Sequence, residues 1–340
     1  MGLNLVTRGH VSELKSGRRY DDGMTAHGPS TAGAQAPSKV LLAAPRGYCA
    51  GVERAVEAVE RALEGHGKPV YVRKQIVHNA HVVRDLEGKG AIFVEDEREV
   101  PAGEVVVLSA HGVAPEVYEQ SRARGLTVLD ATCPLVTKVH LEARRFAGDA
   151  RTIVLIGHAG HEEVVGTMGQ ARDRTILVQD VAEARTVELP AGPLSYLTQT
   201  TLSVDETNEI VRVLRERFPD LEGPPREDIC YATQNRQDAV KELARRSDVV
   251  LVIGSRNSSN SKRLAEVAIE QGTPAHLVDD ETEVDPSWVA GADVVGVTSG
   301  ASAPEWLVER MLAWLASLGA AEVEEVRVTE EHLRFSDVRV

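Results

Sequence analysis

Asp130-Ala-Thr-Cys-Pro-Leu-Val-Thr-Lys-Val-His140 is the stretch from which the rest of the chain can be read. It holds Cys133, the middle one of only three cysteines in 340 residues. The apolar run Leu126-Thr-Val-Leu129 leads into it as a buried strand, and residues 135–145 lead out with helical character. Pro134 follows the cysteine, where the first turn of a helix tolerates proline. Cys133 is therefore expected at a strand end and a helix N-terminus. There the helix dipole favours a thiolate over a thiol.

The other two cysteines repeat this setting. Lys39-Val-Leu-Leu-Ala-Ala-Pro-Arg-Gly-Tyr-Cys49 reads as a strand, a glycine turn and a cysteine, with a helix following over 51–64. Asp228-Ile-Cys230 precedes a helix expected over 235–247. Two polar landmarks trail each cysteine. His78, His161 and Ser258 stand 29, 28 and 28 residues on; His111, Thr200 and Ser302 stand 62, 67 and 72 residues on. We read this as a weak internal repeat, with cysteine-to-cysteine spacings of 84 and 97 residues. It predicts three α/β units around a central site, each contributing one cysteine and two polar loops.

Composition narrows the function. The 38 basic and 52 acidic residues give a net charge of −14, and aromatic residues make up only 4% of the chain. Both argue against a nucleic-acid partner, which needs a cationic surface and stacking platforms. A small anionic ligand is not excluded, because fields fade over about 8 Å at physiological salt and local donors decide. No apolar run is long enough for a transmembrane helix, and no secretory segment precedes residue 39. Three widely spaced cysteines suit a reducing, cytoplasmic setting and not a disulfide scaffold.

Residues 1–38, rich in Gly, Ser, Thr, Ala and charge, are expected to form a disordered extension. From Lys39 strands alternate with helices. Strands are expected over 70–73 with 76–77, 91–94, 105–108, 152–156, 175–178, 194–197, 249–253 and 293–297, with helices over 204–218 and 306–318. Continuous apolar strands with helices between them predict mostly parallel sheets covered on both faces. Ligands in such sheets bind beyond the carboxyl ends of the strands, where every polar landmark falls. The expected units are 39–133, 134–230 and 231–318, with an extended acidic tail over 319–340.

Three dispersed thiolates without closely spaced pairs fit an iron–sulfur cluster better than structural zinc. A cubane normally takes four cysteines, so three would leave one iron open as a Lewis acid. Gly157-His-Ala-Gly-His-Glu-Glu163 sets His161 and Glu163 on a loop where a carboxylate can deliver protons. Gly254-Ser-Arg-Asn-Ser-Ser-Asn-Ser261 offers hydroxyls and backbone N–H groups at a helix start, a phosphate-binding arrangement that is equally an ordinary N-cap. His78, His111 and Ser302 are candidates for the same anion.

Together these stretches resemble the LytB/IspH family of 4-hydroxy-3-methylbut-2-enyl diphosphate reductases from about Lys39 onward. The resemblance is carried by Pro45-Arg-Gly-Tyr-Cys-Ala-Gly-Val52, Val77-His-Asn79, Ser109-Ala-His-Gly-Val113 and the opening stretch. It continues through Gly166-Thr-Met-Gly169, Thr198-Gln-Thr-Thr201, Asp228-Ile-Cys-Tyr-Ala-Thr233, Ser258-Ser-Asn260 and Gly300-Ala-Ser302. It implies a trefoil of three α/β units around one [4Fe–4S] cluster, held by Cys49, Cys133 and Cys230, with an open fourth iron site for the substrate hydroxyl. The implied reaction removes the allylic hydroxyl of the diphosphate substrate with two electrons and two protons. It gives isopentenyl and dimethylallyl diphosphate, the last step of the non-mevalonate isoprenoid pathway. By the same likeness Glu163 supplies the proton and Thr200 holds the hydroxyl. His78, His111, His161, Ser258, Asn260 and Ser302 clamp the diphosphate, with Thr201 and Ser259 nearby. The electron donor is expected to be a ferredoxin or flavodoxin. One position departs from the family: Glu162 stands where proline is usual, which puts two carboxylates side by side. The family register favours Glu163 as the acid. Two alternatives remain at this point. One is another three-cysteine cluster enzyme, such as a quinolinate-synthase-like dehydratase; the other is a zinc-dependent phosphate-binding module.

Overall fold

A computed structural model describes residues 37–339. The expected N-terminal extension therefore lies outside the described residues, apart from its last two positions. In chain order the first elements are β1 (Lys39–Ala44), α1 (Ala50–His66), β2 (Val70–Arg73), α2 (Ala80–Lys89), β3 (Ala91–Val94), β4 (Val105–Leu108), α3 (Pro115–Ala123) and β5 (Thr127–Asp130). Next come α4 (Pro134–Gly148), β6 (Thr152–Ile156), α5 (Glu162–Gly169), β7 (Thr175–Val178), α6 (Val181–Thr186), β8 (Leu194–Thr198) and α7 (Val204–Arg217). The last are α8 (Tyr231–Ala244), β9 (Val249–Ile253), α9 (Ser259–Glu270), β10 (Ala275–Val278), β11 (Val294–Ser299), α10 (Glu305–Leu318) and β12 (Glu322–Arg327).

The strands form three sheets, with orders β3-β2-β4-β5, β7-β6-β8 and β10-β9-β11-β1-β12. Every strand pairing is parallel. The cause is visible in the strands: Val105–Leu108 and Val249–Ile253 are buried at every position, so both faces need a helix over them. This is the trefoil of three α/β units. Among the described residues no helix is long and apolar enough to cross a membrane.

Backbone hydrogen bonds repeat the three-part pattern at the centre. The amides of Ala110, Gln199 and Gly300 donate to the carbonyls of Ile76, Ile156 and Ile253 at 3.2, 2.8 and 2.9 Å. The amides of Cys133, Cys230 and Cys49 donate to Ala110, Thr200 and Ala301 at 3.0, 3.0 and 3.3 Å. Each cysteine is thus tied to a polar loop at a strand end, which brings the three sulfurs to one centre.

Three local expectations differ from what is observed. The helix after Cys230 begins at Tyr231, four residues earlier than the apolar periodicity indicates, because the cysteine itself occupies the N-cap. Ile76-Val77 is not strand, since Lys74 takes a positive φ of 58° and ends β2. Sheet membership does not follow the sequence boundaries either. β1 is buried along almost its whole length and lies between β11 and β12, inside the third sheet. The tail is held down: β12 pairs along β1, Asp337 bonds Arg61 at 2.7 Å, and Val338 is buried in the core around α1 and β2.

Candidate active site

Cys49, Cys133 and Cys230 are the N-caps of α1, α4 and α8. All three line one central cavity. Gly51, in the first turn of α1, lets the chains close up there. A Cβ at that position would stand 2.7 Å from Cys133 Sγ and 3.9 Å from Cys49 Sγ. Among the described residues no group of three or more His, Cys, Asp or Glu side chains is set to hold a single metal ion.

The electrostatics overturn one expectation. Burial pushes the Cys133 thiol up to about 12 and the Cys230 thiol up to about 11, and the neighbouring Cys49 adds to both. At Cys133 the backbone N–H groups of Leu135 and Val136 pull the other way and lose. At Cys133 and Cys230 the helix terminus alone therefore does not produce a thiolate, because desolvation outweighs the backbone N–H groups. A bound cation reverses that balance.

Glu163 lies in the first turn of α5 and is 2% exposed. Its Oε1 accepts the Thr200 amide at 2.6 Å, and its Oε2 accepts the Thr200 hydroxyl at 3.0 Å. Both bonds favour the anion, but burial dominates and pushes its pKa up to about 7. Glu162 faces elsewhere: its carboxylate oxygens stand 3.7 Å from Arg73 and 3.6 Å from Lys74, partly in solvent. Only Glu163 lines the cavity.

His78 and His111 stack at 4.0 Å between ring centroids, and His161 presents its edge to both at 5.4 and 5.8 Å. Burial lowers all three: His78 to about 4, His161 to about 3, and His111 well below the ordinary value. They are neutral donors when no anion is present. His161 Nδ1 accepts the Glu163 amide at 3.2 Å, so its Nε2 carries the hydrogen. That same bond caps α5 and so fixes Glu163.

Ser258 caps α9, accepting the Ser261 amide at 3.3 Å. Ser302 donates to the His78 carbonyl at 2.9 Å, and Thr201 accepts from Gln199 at 2.9 Å. Ser259 donates to the Thr201 carbonyl at 3.3 Å. Asn260 is 4% exposed. Its Oδ1 accepts the Ala301 amide at 2.8 Å, while its Nδ2 has no partner. A buried amide donor left unmatched costs about 1–3 kcal/mol, so this wall asks for an acceptor.

Every residue expected to hold the cluster, bind substrate or act in catalysis lines this cavity. Sequence reasoning missed Thr233, whose hydroxyl is 3.2 Å from Cys230 Sγ, and Gln199, which bonds the His158 amide and Thr201. Thr233 carried a usable signal, since a hydroxyl three residues after an N-cap faces back toward it. His158 is exposed and does not line the cavity.

Fold and cavity define a class: three-lobed α/β proteins in which each lobe supplies one cysteine to a common centre. Comparison with known proteins specifies it further. The profile of the LytB protein family matches residues 40–316. The 4-hydroxy-3-methylbut-2-enyl diphosphate reductase of Acidothermus cellulolyticus is 62% identical over 300 residues, covering 88% of each chain. That of Streptomyces coelicolor is 58% identical over 300 residues, covering 88% of this chain and 89% of its own. Among solved structures, the E-1-hydroxy-2-methyl-but-2-enyl-4-diphosphate reductase of Plasmodium falciparum superposes with a TM-score of 0.86 at 36% identity, covering 89% of this chain and 96% of its own. This chain belongs to the LytB family.

Proposed function

We propose that this protein reduces 4-hydroxy-3-methylbut-2-enyl diphosphate to isopentenyl and dimethylallyl diphosphate, the last step of the non-mevalonate pathway. The allylic C–O bond breaks, the oxygen leaves as water, and the carbon skeleton takes up two electrons and a proton. The observation that carries this reading is the meeting, in one cavity, of three N-cap cysteines, one buried carboxylic acid and an unmatched amide donor among hydroxyls and imidazoles.

The residues fit a [4Fe–4S] cluster. Gly51 leaves the sulfurs uncovered, Val52, Leu135 and Val136 give an apolar surround, and the buried Cys133 and Cys230 sulfurs beside Cys49 suit a bound cation. Cys49, Cys133 and Cys230 would hold it, with the fourth iron left without a protein ligand. When bound, such a cluster supplies electrons and a Lewis-acid iron. The remaining steps fall to the chain itself. Glu163, protonated below about pH 7, gives its proton to the departing hydroxyl, and Thr200 Oγ1, bonded to the same carboxyl, orients that hydroxyl. His161, the stacked His78 and His111, and Ser258, Asn260 and Ser302 grip the diphosphate, with Thr201 and Ser259 beside them. A diphosphate anion also relieves the burial cost that keeps the imidazoles neutral. Electrons come from a cytoplasmic ferredoxin or flavodoxin.

The deciding experiment is anaerobic purification followed by iron, sulfide and zinc analysis with a visible spectrum. About four irons and four sulfides per chain are expected. One zinc with no visible absorption would instead make the protein a zinc-dependent phosphate-binding module, and turnover without any reductant would favour a dehydratase. A second result is expected at Asn260. Asn260→Asp keeps the acceptor for Ala301 but replaces the donor with a negative charge. A charge-assisted bond is worth about 1.5–3 kcal/mol, so diphosphate affinity should fall by about tenfold to a hundredfold while iron content is unchanged. Unaltered affinity, measured calorimetrically, would remove Asn260 from the clamp.

A further inference from the structure

Each helix that starts at a cysteine carries a cation about one and a half turns in, and each cation reaches the turn that holds a different cysteine. Arg54, on α1 five residues after Cys49, donates Nη1 to the Thr132 carbonyl at 3.0 Å, directly before Cys133. Lys138, on α4 five residues after Cys133, donates Nζ to the carbonyls of Arg226 and Glu227 at 2.6 and 2.9 Å. It also donates to Asp228 Oδ1 at 3.0 Å, and this whole segment leads into Cys230. Arg236, on α8 six residues after Cys230, donates Nε and Nη2 to the Gly47 carbonyl at 3.2 and 2.8 Å, two residues before Cys49. The directions close on themselves: α1 holds the Cys133 turn, α4 holds the Cys230 turn, and α8 holds the Cys49 turn.

Each link is anchored from outside. Asp228 Oδ2 accepts the Thr198 amide at 3.0 Å, at the strand end that leads to Thr200. The tail supplies the other two anchors. The Ser336 carbonyl accepts Arg54 Nε at 2.9 Å, and the Glu331 carboxylate accepts Arg236 Nη1 at 3.0 Å. Arg236 is fully buried, and a guanidinium is tolerated there only where its donors are matched. Carbonyl acceptors at all three turns also make the direction of each link specific. A generic surface ion pair does not recur within the second turn of three separate helices, each time reaching the turn of a different cysteine.

We propose that Arg54, Lys138 and Arg236 are positioning residues that form a closed brace, holding the three cysteine turns at the spacing an iron–sulfur cluster needs before the cluster arrives. The proposal rests on the reading of the cysteines as cluster ligands. A ligand set held in place by its surroundings binds without a further ordering cost, and the bound group leaves slowly. The tail is then a working part of the site, since it anchors two of the three links.

The test uses the full chain with Lys138→Met, Arg54→Met and their conservative counterparts Lys138→Arg and Arg54→Lys. Lys138 and Arg54 are both partly exposed, so should one Met variant not fold, the other carries the same test. Three properties are read: anaerobic loss of visible absorption to an iron chelator well below each variant's unfolding midpoint, the paramagnetic resonance signature of the reduced cluster, and far-ultraviolet dichroism. The Met variants are expected to stay folded yet release the cluster at least about tenfold faster, with an altered resonance signature. The conservative variants should return both properties to near the wild-type values. Met variants that stay folded with wild-type release and an unchanged signature would overturn the brace. A wild-type chain that takes up no iron or sulfide would instead sink the cluster reading beneath it.

Discussion

Glu163→Gln is expected to lower turnover by about a hundredfold to ten-thousandfold, the range a positioned general acid contributes, while the cluster stays in place. The amide keeps the shape of the side chain, and its oxygen can still accept a bond from Thr200, which donates both of the present bonds, one to each carboxylate oxygen. It removes the transferable proton, and its new NH2 group turns the Thr200 hydroxyl from donor to acceptor. The pH dependence carries the same signature. Burial raises the Glu163 carboxyl to about 7, so the acid form prevails below that pH and is lost above it. Turnover of the parent enzyme should fall as pH rises through about 7, and the residual activity of Glu163→Gln should lose that limb. Linkage gives a parallel effect on stability. The folded carboxyl holds its proton between the ordinary 4.5 and about 7, where the unfolded one has lost it, so stability declines as pH rises through that window. A Glu163→Gln protein with normal turnover and a full iron load would remove the proposed acid.

Gly51→Ala is expected to cost the protein its cluster far more than it costs the fold. Alanine is the better helix former by roughly 0.8–1 kcal/mol, and Gly51 has no left-handed φ to protect. On backbone grounds the variant should fold as well or better without a cluster. The added methyl, however, falls 2.7 Å from Cys133 Sγ, closer than packed atoms sit, with Cys49 Sγ at 3.9 Å on its other side. Either that sulfur or α1 must shift, and both belong to the cysteine centre. Iron per chain after anaerobic reconstitution should drop at least about fivefold; the overlap is present without a cluster as well, and its cost of about 1–3 kcal/mol outweighs the helical gain, so the thermal midpoint of the cluster-free protein should fall modestly. A full iron load in Gly51→Ala would mean that the cavity wall yields more easily than its packing implies.

Much of this was legible because it is written locally. Proline after Cys133, apolar runs before each cysteine and helical periodicity after it specify strand–turn–helix junctions within about ten residues of chain. Three such junctions with matched polar loops point to a three-part fold and a common centre. The orientation of the two adjacent carboxylates was not legible in this way. Glu162 and Glu163 differ by one position in one helical turn, and they part only because Arg73 and Lys74 wait on one side and Thr200 on the other. The placement of β1 in the third sheet was equally hidden, since nothing near residue 39 encodes a pairing with residues 294–297 and 322–327.

The sequence by itself determined the element types, the three cysteine junctions and the residues able to meet at them, because backbone propensity, capping and hydrophobic period act between near neighbours. Tertiary structure alone decided the state of those groups. It set a carboxyl that keeps its proton to about pH 7, imidazoles stacked and neutral, thiols pushed upward where a dipole argument predicted the reverse, and a tail drawn in to anchor Arg54 and Arg236. Desolvation and long-range contact cause all four, and neither exists until segments far apart in the chain have excluded the water between them.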